Sequence, residues 1–266
     1  MSSPVSCWCS SGDSAWHRCC SCAAVFITGG SRGIGARTAR AFAAQGAKVC
    51  VVGRDPQALA AVIADITGEG GTAISTVADV TDPAAVGDAR RQAESRLGPV
   101  DVLAAFAGGQ GFPVPSVELT EQRWREVIDS DLTSVFLTIQ AFLPGMLERG
   151  SGSIITMSSA AGRQPSQANL AYGVANAGVV MLTRHLATEV APRGIRVNCI
   201  APSAILTETT GARMPAAVQA KVAAMHPLGR MGTPDDVAHT ALFLASEAAS
   251  WLTGLTIDVA GGRVTN

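Results

Sequence analysis

Charge and aromatic side chains are both scarce in this chain. Charged residues fill 15% of its 266 positions, aromatics 5%, and the formal net charge is −1. So few cations leave no electrostatic footprint for nucleic acid, and the balance selects no acidic or basic partner. Long apolar runs are absent: none reaches the ~18 residues that a bilayer-crossing helix needs. Met1 to Ser14 lacks a basic start followed by an apolar stretch, so no secretory signal is read and the cytoplasm is the expected compartment. Tyrosine occurs once, as Tyr172.

Cysteine is nearly absent beyond the N-terminus. Five of the seven, Cys7, Cys9, Cys19, Cys20 and Cys22, precede residue 23, with His17 among them. Their spacing matches no zinc-finger or knuckle pattern, so residues 1–22 read as a poorly ordered extension with reduced thiols and no metal. Metal binding is the competing reading, and zinc analysis of protein purified without reductant separates the two.

What the chain has in quantity is apolar residues, 47%, and 28 glycines. From Ala23 onward, short apolar runs alternate with longer segments of helical period. The runs are 25–28, 48–52, 73–77, 100–105, 153–157, 196–200 and 255–259. Several are apolar throughout, as strands buried on both faces are. Helices are expected at 34–46, 56–68, 83–97, 121–149, 169–193 and 234–247. Pro83 and Pro234 sit near helix starts, and Thr233-Pro-Asp-Asp236 reads as a capped entry with early acids. Seven strands alternating with six helices imply an α/β doubly wound parallel sheet, with residues 23–266 as one domain. Residues 203–232 break the rhythm and are expected to form a lid over the carboxyl ends of the strands.

The chain is organised around Thr28-Gly-Gly-Ser-Arg-Gly-Ile-Gly35. It follows an apolar run and opens a helix, the layout that turns backbone N–H groups and a helix N-terminus toward a phosphate. Gly29, Gly33 and Gly35 allow the tight turn and the close approach of backbone to a pyrophosphate. Arg54 stands just after the second strand, where an acid would hold the ribose 2′-OH of NAD, and Arg32 stands within the loop. Two guanidiniums suit a 2′-phosphate and favour NADP(H) over NAD(H). Asp55 is one place late for the acid's role and is expected to start the next helix.

Residues 23–262 resemble a short-chain dehydrogenase/reductase of the 3-oxoacyl-carrier-protein reductase-like group. The resemblance rests on the glycine loop, Ala78-Asp-Val80, Ala107-Gly108, Ser158-Ser-Ala-Ala-Gly162, Tyr172, Arg196-Val-Asn-Cys-Ile-Ala-Pro202, Pro227-Leu-Gly-Arg230 and Gly261-Gly262. It implies a single Rossmann-like sheet of about seven strands with helices on both faces, a nicotinamide cofactor, and a homotetramer or homodimer. It implies further that Ser31 and Ile34 join Gly29, Arg32, Gly33 and Gly35 in the cofactor loop. Asp79 and Val80 would face the adenine, Ala107 and Gly108 would flank the cofactor, and Pro202, Ile205 and Thr207 would meet the nicotinamide.

For the reaction centre the resemblance implies Tyr172 as acid/base and Ser159 as the residue holding the substrate oxygen, with Ser158 structural. Then the match fails. The family's Tyr-x-x-x-Lys reads Tyr172-Gly-Val-Ala-Asn176, its supporting asparagine reads Asp131, its Asn-Asn-Ala-Gly reads Ala105-Phe-Ala-Gly108, and its Pro-Gly reads Pro202-Ser203. Losing a cation and gaining an anion both disfavour a phenolate. Tyr172 is therefore expected to stay protonated, able to donate to a carbonyl but not to accept from an alcohol. Asn176 would hydrogen-bond a ribose hydroxyl, and Asp131 would accept from a relay water. The expected function is NADP(H)-dependent reduction of a ketone or 3-oxoacyl-type substrate. Two alternatives stay open: a non-redox biosynthetic step with Asp131 as base, and a catalytically impaired cofactor-binding partner subunit. The substrate pocket is expected to draw on 109–115, 160–169 and the lid. Phe112, Met214 and Met225 would make it apolar, and Arg163 and Gln164 are candidate polar anchors.

Overall fold

The computed structural model describes residues 23–264, so the Cys-rich stretch 1–22 and the thiol and metal readings made for it lie outside the described residues. All seven expected strands form: β1 Ala24–Thr28, β2 Lys48–Gly53, β3 Thr72–Val77, β4 Val102–Ala105, β5 Gly152–Met157, β6 Ile195–Pro202 and β7 Thr256–Val259. They pair in parallel in the order β3-β2-β1-β4-β5-β6-β7. The order reverses between β1 and β4, and a sheet of this kind binds its ligand in the crevice at that reversal.

Period-2 alternation splits the core into two layers. Ala24 and Phe26 of β1 face α3 (Pro83–Leu97), α5 (Ser134–Arg149) and α6 (Leu170–Val190), where the Phe26 and Phe142 rings meet at 4.5 Å between centroids. Val25 and Ile27 face α1 (Gly33–Ala44), α2 (Pro56–Gly68) and α9 (Pro234–Ala245). The helices led by Pro83 and Pro234 are both capped, the second as expected. Asp82 accepts from the Ala84 N–H ahead of α3, and Thr233 and Asp236 form a reciprocal capping box ahead of α9.

Two elements differ from expectation. The helix expected at 121–149 is α4 (Glu121–Ile128) and α5 joined by a π-helical turn, Asp129–Thr133. The lid, to which no helix was assigned, carries α7 (Glu208–Arg213) and α8 (Ala216–Ala224). Among the described residues no helix is long and apolar enough to cross a membrane, and no group of His, Cys, Asp and Glu could hold a metal ion.

Candidate active site

A cavity of about 700 Å³ opens at the carboxyl ends of β1, β4, β5 and β6, beneath the lid. Thr28 ties its floor together: its Oγ1 accepts from the N–H groups of Phe106 (3.0 Å) and Ala107 (3.1 Å), joining the ends of β1 and β4. The sequence reading missed Thr28 in this role, because the contact spans 78 residues.

The glycine loop fits a pyrophosphate cradle on steric grounds. A Cβ on Gly35 would lie 2.2 Å from the Gly29 carbonyl oxygen, and one on Gly29, whose φ is +67°, 2.9 Å from the Phe106 oxygen. At Gly33, with φ +53°, a Cβ would meet Thr207 Cγ2 at 3.2 Å, so loop and lid touch across the cavity mouth. Helix α1 begins at Gly33 with no side chain capping its first N–H groups and no acid in its first turn. These free donors and the positive end of the helix are what a phosphate takes up.

Gly29, Arg32, Ile34, Gly35, Ala107, Gly108, Asp131, Ser159, Tyr172, Asn176, Pro202, Ile205 and Thr207 all line the cavity. Ser31, Gly33, Arg54, Asp79 and Val80 do not; they lie outside its lining, in the glycine loop and after β2 and β3. Both arginines carry acidic partners. Arg32 pairs with Asp55, and Arg54 stands 3.8 Å from Asp79. Asp55 caps α2 as expected, accepting from the N–H groups of Gln57 and Ala58, and these bonds together with Arg32 hold its carboxyl below the usual range. Bonds from Thr81 do the same for Asp79.

At the other end, Ser159 follows β5 and caps a short 3₁₀ turn by accepting from the Ala161 N–H. Ser158 is buried, and its hydroxyl donates to the Asn176 carbonyl, which fits a structural role. Tyr172 lies in the first turn of α6, with Asn176 one turn on. Asn176 is buried, and its Nδ2 donates to the Tyr172 carbonyl oxygen at 2.9 Å. Burial pushes the Tyr172 phenol up, the nearby Asp131 charge pushes it further, and Ser159 and Asn176 oppose the shift.

Asp131, 4% exposed, occupies the π-helical turn. Its Oδ2 accepts from the N–H groups of Gly109 (3.1 Å) and Gln110 (3.2 Å), and the Ser130 hydroxyl donates to its Oδ1. Desolvation raises its carboxyl above the ordinary range against these donors. Asn169 clamps the same loop from the far side. Its Oδ1 accepts from the Tyr172 N–H, while its Nδ2 donates to the carbonyl oxygens of Gln110 (2.7 Å) and Phe112 (2.9 Å). The loop is thereby laid against the Tyr172 ring, which a Cβ on Gly111 would touch at 3.0 Å.

The expected substrate pocket needs correction. Gly109, Phe112 and Met214 line the cavity, but residues 160–169 and Met225 do not. Arg163 is no anchor: it forms a forked ion pair with Asp258 of β7, at 3.0 to 3.3 Å, and Gln164 donates to the Arg263 carbonyl oxygen. Both side chains are drawn to the sheet edge and the C-terminal segment.

Comparison with known proteins agrees with this architecture. The family model described as "Enoyl-(Acyl carrier protein) reductase" matches residues 29–263. The 3-oxoacyl-[acyl-carrier-protein] reductase FabG of Chlamydia pneumoniae is 37% identical over 238 residues, covering 90% of this chain and 95% of the relative. The cis-4-hydroxycyclohexanecarboxylate dehydrogenase of Sinomonas cyclohexanicum is 40% identical, covering 89% and 94%. The crystal structure of levodione reductase superposes with a TM-score of 0.87 at 32% identity, covering 91% of this chain and 97% of that one. The chain belongs to the short-chain dehydrogenase/reductase family, whose members are oxidoreductases that use nicotinamide cofactors and small-molecule substrates.

Proposed function

We propose that this protein is an NADP(H)-dependent reductase of a ketone or 3-oxoacyl-type substrate, running toward the alcohol far faster than away from it. One observation carries the reading: the Tyr172 phenol is held protonated by burial and by Asp131, and the residue one turn on is Asn176 rather than a cation. A nicotinamide bound in this cavity would supply the hydride. Tyr172 gives its proton to the carbonyl oxygen, and the Ser159 hydroxyl holds that oxygen. Asn176 and Tyr172 would hold the nicotinamide ribose, and Pro202, Ile205 and Thr207 the nicotinamide itself. Ala107 and Gly108 would flank the cofactor. Gly29, Ser31, Arg32, Gly33, Ile34 and Gly35 would cradle the pyrophosphate, and Asp79 and Val80 would hold the adenine.

Arg32 and Arg54 favour a 2′-phosphate despite their partners. Exposed ion pairs are worth about 0–1 kcal/mol, and a phosphate offers both guanidiniums stronger forked bonds. Asp55 is committed to the start of α2 through Oδ1, which accepts from the Gln57 and Ala58 N–H groups, so its first role is the helix cap that its place in the sequence suggests. Asp131 anchors the 108–110 loop and keeps the phenol protonated. Three donors already occupy its carboxylate, which disfavours the alternative in which it acts as a base.

The test is consumption of NADPH and of NADH with a panel of ketones and 3-oxoacyl thioesters. NADPH should be used selectively, and Arg54→Ala should weaken NADPH binding without affecting NADH. Equal loss for both would remove the 2′-phosphate assignment. Cofactor binding with no turnover of any carbonyl would favour the partner-subunit reading.

A further inference from the structure

We infer that Ser203 and His226 form a second reactive centre in this cavity, a Ser–His dyad able to take an acyl group from an ester or thioester. Ser203 stands immediately after β6 and lines the main cavity. Its Oγ is 2.9 Å from His226 Nε2, and the imidazole's other nitrogen, Nδ1, is 2.8 Å from the Val222 carbonyl oxygen. A carbonyl oxygen only accepts, so in the neutral ring Nδ1 carries the proton and Nε2 presents its lone pair to the serine O–H. A hydroxyl on a base that a third group orients is the geometry of an activated nucleophile. His226 is 3% exposed, and its ring is fixed at both nitrogens.

The surroundings suit an acyl group. Met214, Pro215 and Val218 of the lid line the same cavity as Ser203. A second cavity of about 300 Å³ is lined by both Ser203 and His226, which places the dyad between two open spaces. The serine also stands where parallel sheets present reactive groups, at a strand's carboxyl end. Its backbone is held there by a 3.1 Å bond from the Ser203 N–H to the Val259 carbonyl oxygen.

In the reaction, Ser203 Oγ bonds to the acyl carbon while its proton passes to His226 Nε2. The bond from that carbon to the leaving oxygen or sulfur breaks, and the leaving group takes the proton from His226. Water then attacks the acyl-serine with His226 as base, releasing the carboxylic acid and restoring the serine. No electrons change hands, so neither an oxidant nor a dinucleotide is required, and the inference does not rest on the redox reading.

The test treats the full-length chain, without dinucleotide, with a fluorophosphonate and with p-nitrophenyl butyrate. The phosphonyl adduct should map to Ser203 by peptide mass spectrometry. Ser203→Ala should abolish the adduct and lower ester hydrolysis by about 10² or more, and His226→Asn should slow labelling by a similar factor, the usual worth of a general base. Should His226→Asn fail to fold, Ser203→Ala with an unchanged melting temperature decides alone. No adduct, an adduct on Ser159 or Tyr172, or hydrolysis unchanged in Ser203→Ala would overturn the inference.

Discussion

At Tyr172 the direction of the pKa shift sets the pH profile. The protonated phenol is the working form in reduction, and its pKa is raised above the ordinary 10 by burial and Asp131. Reduction should therefore hold level from neutral into mildly alkaline pH and fall only as pH climbs through that raised value. A stopped-flow pH profile checks this; a fall centred near neutrality would contradict it. Tyr172→Phe should cost about 10²–10⁴ in kcat, the usual contribution of a positioned acid, with little change in melting temperature. Only part of this neighbourhood follows from residue spacing. The Tyr172–Asn176 relation was legible, since residues four apart share a helix face. The approach of Asp131 was expected from the family resemblance and not from spacing, because it depends on how α4 and α5 pack against α6.

The π-helical turn at Asp129–Thr133 and the 108–112 loop act as one element. Asp131→Asn keeps an acceptor for the Gly109 and Gln110 N–H groups, whereas Asp131→Ala leaves both donors without it. Both donors are only partly buried, so each lost bond costs about 0.5–1.5 kcal/mol, and the alanine variant should melt lower and show a raised KM. The pH dependence has a definite sign. Asp131's folded pKa is raised, so the native state binds more protons than the unfolded one between the two values, and stability falls as pH rises through that window. Asp131→Asn should gain on the wild type at neutral pH and lose that advantage in acid, as chemical denaturation at several pH values would show. An alanine variant as stable as the asparagine one would remove the anchoring role. The strands were legible because fully buried runs are apolar throughout. The π turn was not, since Asp-Ser-Asp-Leu-Thr carries no local mark of an i→i+5 bond. The Arg163–Asp258 pair was hidden for a different reason: 95 residues separate its members.

Across the whole molecule, the proposed homotetramer would bury apolar residues of α5 and α6 that the core does not absorb. Val135, Val179 and Val180 are buried against the sheet, but Phe136 on α5 is 47% exposed, and Met181 on α6 is 61% exposed. Leu170 and Val174 extend the exposed apolar face of α6. Light scattering should give four times the chain mass of 27.1 kDa, with a dimer as the next outcome. Phe136→Glu with Met181→Glu should shift the species toward monomer, and a monomeric wild type would refute the packing. At this scale the parallel sheet followed from the alternation of apolar runs and helices, and the strand order became visible only in the structure. What the contacts added is the setting of the substituted residues: Asp131 holds the Gly109 and Gln110 N–H groups, and Asn176 donates to the Tyr172 carbonyl oxygen.

The central claim is that the missing cation at Asn176 confines this cavity to reduction. The most direct measurement is the ratio of carbonyl reduction to alcohol oxidation, on one substrate pair, in the wild type and in Asn176→Lys. A restored cation stabilises the phenolate and should raise kcat for oxidation at saturating alcohol by about 10²–10³, the range typical of a lost or regained charge contact, while kcat for reduction changes far less; the catalytic efficiencies of the two directions move together, because the equilibrium constant fixes their ratio. Oxidation at the same rate in both proteins would contradict the account.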